Sequence, residues 1–124
     1  MVTCMMTTFG SLLPAYLDAH SWLLHTPGLA KLGGDWPDLS VRSSATVLVQ
    51  YGLADQLFPE QGMRDAHHHL LENMPARYTG GSFWQEPHVF TPAMQDEAAS
   101  FLTATLQPRQ PTSTPTPDST RTYQ

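Results

Sequence analysis

A chain of 124 residues suits one domain with a modest core and leaves little room for a second. Its formal net charge of -5 comes from scattered acids with no acidic block, so the basic surface needed to hold nucleic acid is missing. No window supplies the ~18 uninterrupted apolar residues of a membrane-spanning helix, and a single cysteine, Cys4, excludes an internal disulfide. The N-terminus, "MVTCMMTTFGSLLPAYL", has no early Lys or Arg, and its apolar residues are broken by threonines and a proline, which makes a poor signal peptide. A soluble cytoplasmic protein is expected, with Cys4 as a small buried hydrophobe.

In chain order, "VTCMMTTF" mixes β-branched and apolar side chains up to Gly10 and predicts a buried strand over 2–8. Ser11 can cap a short turn, and Pro14 opens a helix over 14–25 with Leu13, Tyr16, Leu17, His20 and Leu24 on one face. Pro and Gly punctuate "TPGLAKLGGDWPD", which predicts irregular chain followed by a short helical turn over 37–42. "ATVLVQYG" is nearly continuous in apolar and β-branched residues, the pattern of a strand covered on both faces in a parallel sheet. Pro59 as first helical residue then starts a helix over 59–73, whose stripe is Met63, Ala66, His67, Leu70, Leu71 and Met74. A weaker strand over 77–84 contains Gly80 and Gly81. Last, Thr91 caps and Pro92 opens a helix over 92–106, with Met94, Ala98, Phe101, Leu102 and Thr105 or Leu106 inward. Alternating strand and helix predicts an α/β layer: about three parallel strands flanked by helices over residues 1–106. From residue 107 onward the chain is rich in Pro, Thr and Ser, and a disordered tail over 107–124 is expected.

Two junctions carry the functional signal. Asp55 stands three residues beyond Gly52, at the end of the middle strand, and His88 follows the next strand. In open parallel sheets such carboxyl ends gather the working residues. A carboxylate bonded to one imidazole nitrogen fixes the tautomer of the ring, holds its orientation and stabilises the imidazolium that forms when it acts as a base.

The stretch "YGLADQLFPEQGMRDA", with Gly52, Asp55 and Pro59 as a G-x-x-D-x-x-x-P turn, and "PHVFTPAMQDEAASFL", with His88 before Val89 and Phe90, resemble the C-terminal part of an α/β hydrolase. The branch they are similar to is that of the dienelactone-hydrolase-like and acetyl-xylan-esterase-like proteins. The resemblance covers roughly residues 2–106, including the approach "PGLAKLGGDWPDLSVRSSATVLVQYG". It implies a catalytic acid at Asp55, a catalytic histidine at His88 and carboxylic-ester hydrolysis without a cofactor. The substrate implied is a small ester. What departs from the pattern is the nucleophile. No G-x-S-x-G elbow is present, since "FGSLLP" at Ser11 and "GGSFW" at Ser82 lack the second glycine and Ser82 follows the acid. The expectation is a C-terminal fragment whose nucleophile strand belongs before Met1, inactive alone and open to self-association through an exposed sheet edge. The other expectation is a non-catalytic remnant or interaction module that pairs through that edge.

A second constellation is "HHH", His67 to His69. Three successive histidines on a helix point about 100° apart, so a solvated helix surface is expected and no metal site. Trp22, Trp36 and Trp84 read as packing residues.

Overall fold

The computed structural model describes residues 1–13, 15–16, 31 and 33–106. Its elements are β1 (Val2–Thr3), α1 (Phe9–Leu12), α2 (Trp36–Arg42), β2 (Val47–Gly52), α3 (Glu60–Asn73), β3 (Tyr78–Trp84) and α4 (Pro92–Thr105). The strands form one sheet in the order β1-β2-β3, parallel throughout, so the class is α/β. Every residue of β2 is buried, which is why that stretch reads as an almost unbroken apolar run. Its two faces are nevertheless different. Val47, Val49 and Tyr51 join Met63, Ala66 and Leu70 of α3 with Met6, Leu12 and Phe58 in the main core. The intervening Gln50 turns the other way, and its amide nitrogen lies 2.8 Å from the Met94 carbonyl of α4. Met63, Leu70 and Leu12 are almost wholly removed from water, each contributing about 1.5–3 kcal/mol of burial.

The helix ends follow from local chemistry. Asp35 caps α2 in a reciprocal box, with its backbone N–H donating 2.7 Å to the Asp38 carboxylate. That contact holds the Asp38 carboxyl below its ordinary range. Asp35 also accepts the Phe9 N–H at 3.0 Å, so one carboxylate ties the start of α1 to the start of α2. Thr91 caps α4 through the Met94 N–H at 3.3 Å, with Pro92 in the first turn, as expected. Pro59 sits one residue outside α3 in extended backbone, ψ 141°, and its carbonyl accepts the Met63 N–H at 3.3 Å. The helix therefore begins at Glu60. Pro75 follows Met74, where the backbone has already left the helix.

Against the sequence expectations, β1 and the helix stripes differ, while β3 holds to them despite its glycines. β1 pairs only through Val2 and Thr3. Cys4 still donates its N–H to the Gln50 carbonyl at 2.8 Å, but its φ of 52° turns the chain out of the sheet. Residues expected to continue that strand form a loop and then α1, in which Ser11 bonds back to the Thr8 carbonyl. β3 keeps its full length because its two glycines have separate tasks. Val47 pairs with Tyr78 and Val49 with Gly81, so β3 carries one extra residue there, and Gly80 accommodates the bulge at φ 128°. Gly81 instead makes room: a Cβ there would stand 2.6 Å from the His67 ring and 2.7 Å from the Tyr78 hydroxyl. Finally, the expected inner stripes are too wide. Leu13 and Leu71 are exposed, and so are Leu102 and Leu106, because only the first half of α4, at Met94 and Ala98, is buried. The helix expected over 14–25 falls almost entirely outside the described residues, and so does the tail over 107–124. Among the described residues no helix is long and apolar enough to cross a membrane.

Candidate functional site

Parallel strands in sequential order place the ends of β2 and β3 side by side, and the loops that leave them are laced together. Leu53 N–H donates to the Trp84 carbonyl at 2.8 Å and Ala54 N–H to the Glu86 carbonyl at 3.1 Å. Such closeness requires Gly52. A Cβ there would meet the Glu86 and Pro87 carbonyl oxygens at 2.7 and 2.9 Å, both backbone atoms with no freedom to swing aside. The glycine that ends the strand run is thus what lets the histidine loop reach the acid.

Asp55 is fixed before it meets any partner. Its N–H closes a turn onto the Gly52 carbonyl at 3.1 Å, and its Oδ1 accepts the Leu57 N–H at 2.8 Å. The other oxygen, Oδ2, lies 2.8 Å from His88 Nδ1. The carboxylate side chain is wholly shielded from solvent, whereas the imidazole is 42% exposed. Because an ionised carboxylate only accepts, Nδ1 carries the proton and donates it, and in a neutral ring Nε2 is then the lone-pair nitrogen. A tight turn aims the ring: Val89 N–H bonds the Pro87 carbonyl at 2.8 Å around His88. Phe58 lies over the imidazole face with centroids 5.9 Å apart.

His88 borders a cavity of about 440 Å³ with Met1, Thr3, Cys4, Val89 and Phe90. Cys4 is buried there and its Sγ donates to the Val89 carbonyl at 3.4 Å. Burial, and then the negative charge of Asp55, push its thiol above the ordinary value, so it rests protonated. The other hydroxyl nucleophiles weighed from sequence point elsewhere. Ser11 bonds to Thr7 at 2.9 Å, and Ser82 donates to Glu97 under α4.

The structure brings Asp55 and His88 together as their junctions imply. It revises the triple histidine. Only His68 is an exposed surface residue. His67 turns inward, with Nδ1 2.8 Å from the Tyr78 hydroxyl and its ring edge-on to Phe83, while His69 Nε2 meets Asp38 at 2.8 Å. Among the described residues no three His, Cys, Asp or Glu side chains converge as a metal-binding group. Thr3, Gln50 and Glu97, which prove to form a row beside the cavity, were not singled out from the sequence. One signal was there: a lone glutamine inside the apolar run "VLVQYG" must find partners when both sheet faces are covered.

Comparison with protein-family models, with characterised proteins and with solved structures finds no match to this chain.

Proposed function

We propose that Asp55 and His88 are the acid and base of a serine-type carboxylic-ester hydrolase site, in an α/β-hydrolase-like C-terminal portion of the dienelactone-hydrolase-like and acetyl-xylan-esterase-like kind. The observation that carries this reading is the 2.8 Å bond from His88 Nδ1 to a fully shielded Asp55 oxygen, formed at the carboxyl ends of neighbouring parallel strands. In this reading Asp55 holds the tautomer, and His88 Nε2 takes the proton of a serine hydroxyl as that oxygen attacks the acyl carbon. The resulting imidazolium, stabilised by Asp55, returns the proton to the leaving alkoxide. Water then repeats the cycle on the acyl-serine. The 124 residues hold no G-x-S-x-G elbow, so the serine and the backbone donors beside it come from a segment outside them. The substrate is a small ester, no cofactor takes part, and the single cysteine suits a reducing, cytoplasmic setting.

Hydrolysis of an aryl acetate by the 124-residue chain is expected at the buffer rate, because a triad stripped of its nucleophile loses on the order of 10⁶ in rate. Joined to a segment carrying a G-x-S-x-G elbow, the chain should hydrolyse the same ester, and His88→Ala should abolish that gain. A joined polypeptide whose rate ignores His88→Ala would refute the assignment. A second reading, a module that pairs through its sheet edge, is favoured by the two-residue β1 at one border of the sheet, with Met1 and Met5 exposed beside it.

A further inference from the structure

A row of polar side chains crosses the sheet beneath α4. Thr3, Gln50 and Ser82 are register partners on β1, β2 and β3. Thr3 Oγ1 lies 2.8 Å from Gln50 Oε1, and Gln50 Nε2 lies 2.8 Å from the Met94 carbonyl and 2.6 Å from Glu97 Oε2. Ser82 donates to the other Glu97 oxygen. Chemistry fixes the direction of this chain. A backbone carbonyl and a carboxylate only accept, so the fully buried Gln50 must turn its NH₂ toward α4 and its carbonyl oxygen toward Thr3. The Thr3 hydroxyl must then spend its one proton on Gln50.

Thr3 also forms part of the wall of the cavity beside His88. Its neighbours there are committed in the same sense. The Cys4 thiol proton goes to the Val89 carbonyl, and His88 turns Nδ1 to Asp55, so that in a neutral ring Nε2 accepts. Met1, Val89 and Phe90 add no side-chain N–H or O–H. Thr3 and Cys4, whose protons are both committed, thus face the cavity with lone pairs, beside apolar surface.

We propose that this cavity is a subsite for a neutral ligand group carrying a hydrogen-bond donor, such as a hydroxyl, and that Thr3, oriented by Gln50, is the specificity residue that accepts from it. An ether or carbonyl of equal size finds no donor on Thr3 or Cys4 and loses its bond to water beside them. The inference deepens the hydrolase reading by naming the kind of group admitted beside His88. It is tested by binding alone, so hydrolysis by a supplied serine can fail while the subsite stands, and the reverse.

The experiment uses two isomers that differ only in the donor, 1-butanol and methyl propyl ether, titrated into the full chain while the methyl resonances of Met1 and Val89 are followed by NMR. The alcohol should bind about fivefold more tightly, the factor one net neutral hydrogen bond supplies. Thr3→Val, which keeps shape and removes the acceptor, should bring the two affinities close together. Gln50→Met releases the Thr3 proton to face the cavity, and the ether should gain relative to the alcohol. Equal affinities in the parent chain, preference for the ether, no binding of either probe, or a full preference surviving in Thr3→Val would each overturn the proposal. Should Gln50→Met fail to fold, Thr3→Val still decides it.

Discussion

At the scale of single residues, the site depends on an atom that is absent. Gly52 carries no Cβ, and a methyl there would press on the Glu86 and Pro87 carbonyls at under 3 Å. Gly52→Ala must push the 86–88 loop away from β2, costing about 1–3 kcal/mol of overpacking strain, and it should break the bond from Asp55 to His88. Urea unfolding gives the first effect, and the His88 Nδ1–H resonance gives the second. An unchanged midpoint together with an intact resonance would mean that the two loops do not rely on this close approach. That Asp55 and His88 meet was legible in the sequence because each stands just past a strand and a few residues before a proline at a helix start. What the sequence could not reveal is which carboxylate oxygen meets the ring and which ring nitrogen faces it. Those depend on the Leu57 N–H that takes Oδ1 and on the turn at Pro87, both set by backbone geometry.

At the scale of elements, α3 is fastened to β3 by a polar seam inside an otherwise apolar contact. Tyr51 and Tyr78 hydroxyls lie 3.3 Å apart, and Tyr78 meets His67 at 2.8 Å, in the space left by Gly81. Burial, then the nearby His68 and Arg64, lower the pKa of His67 below its ordinary 6.5. The sign of the linkage follows. Above pH 6.5 the ring is neutral in both folded and unfolded chains and costs nothing; as pH falls below that value the unfolded chain binds a proton that the folded one resists. Stability should therefore fall as pH drops through the lowered folded value and level off beneath it. Urea midpoints from pH 7.5 to 5 should show this decline, and His67→Gln should flatten that part of it. A decline identical in both chains would place the titration elsewhere. This seam was hidden in the sequence because three successive histidines reveal nothing about what a neighbouring strand places opposite one of them. Helix starts, by contrast, were legible at Thr91 and within one residue at Pro59, since proline fixes φ locally. The early end of β1 was not, because it rests on a left-handed Cys4, a conformation no local pattern announces.

For the whole molecule, the described residues form three parallel strands with β1 and β3 at the borders of the sheet. β1 engages a partner strand through two residues, and Met1, Met5, Val89 and Phe90 are all more than 40% exposed. Apolar surface of this kind seeks cover. Sedimentation of the purified chain should show mass above the monomer at high concentration, reduced by Val89→Lys. A monomer at every concentration would remove the case for pairing through this region. The α/β class was legible from the alternation of strand and helix patterns, whereas the polar row from Thr3 to Glu97 needed the register of all three strands. The hydrolase reading rests on one contact, the bond between a buried Asp55 oxygen and His88 Nδ1. Long-range ¹H–¹⁵N correlation of the His88 ring at pH 8 tests it most directly. The neutral imidazole should carry its proton on Nδ1, and Asp55→Ala should move that proton toward Nε2, the form a free imidazole side chain favours in water. A parent chain already in the Nε2-protonated form, or a ring indifferent to the loss of Asp55, would contradict the pairing on which the proposed function stands.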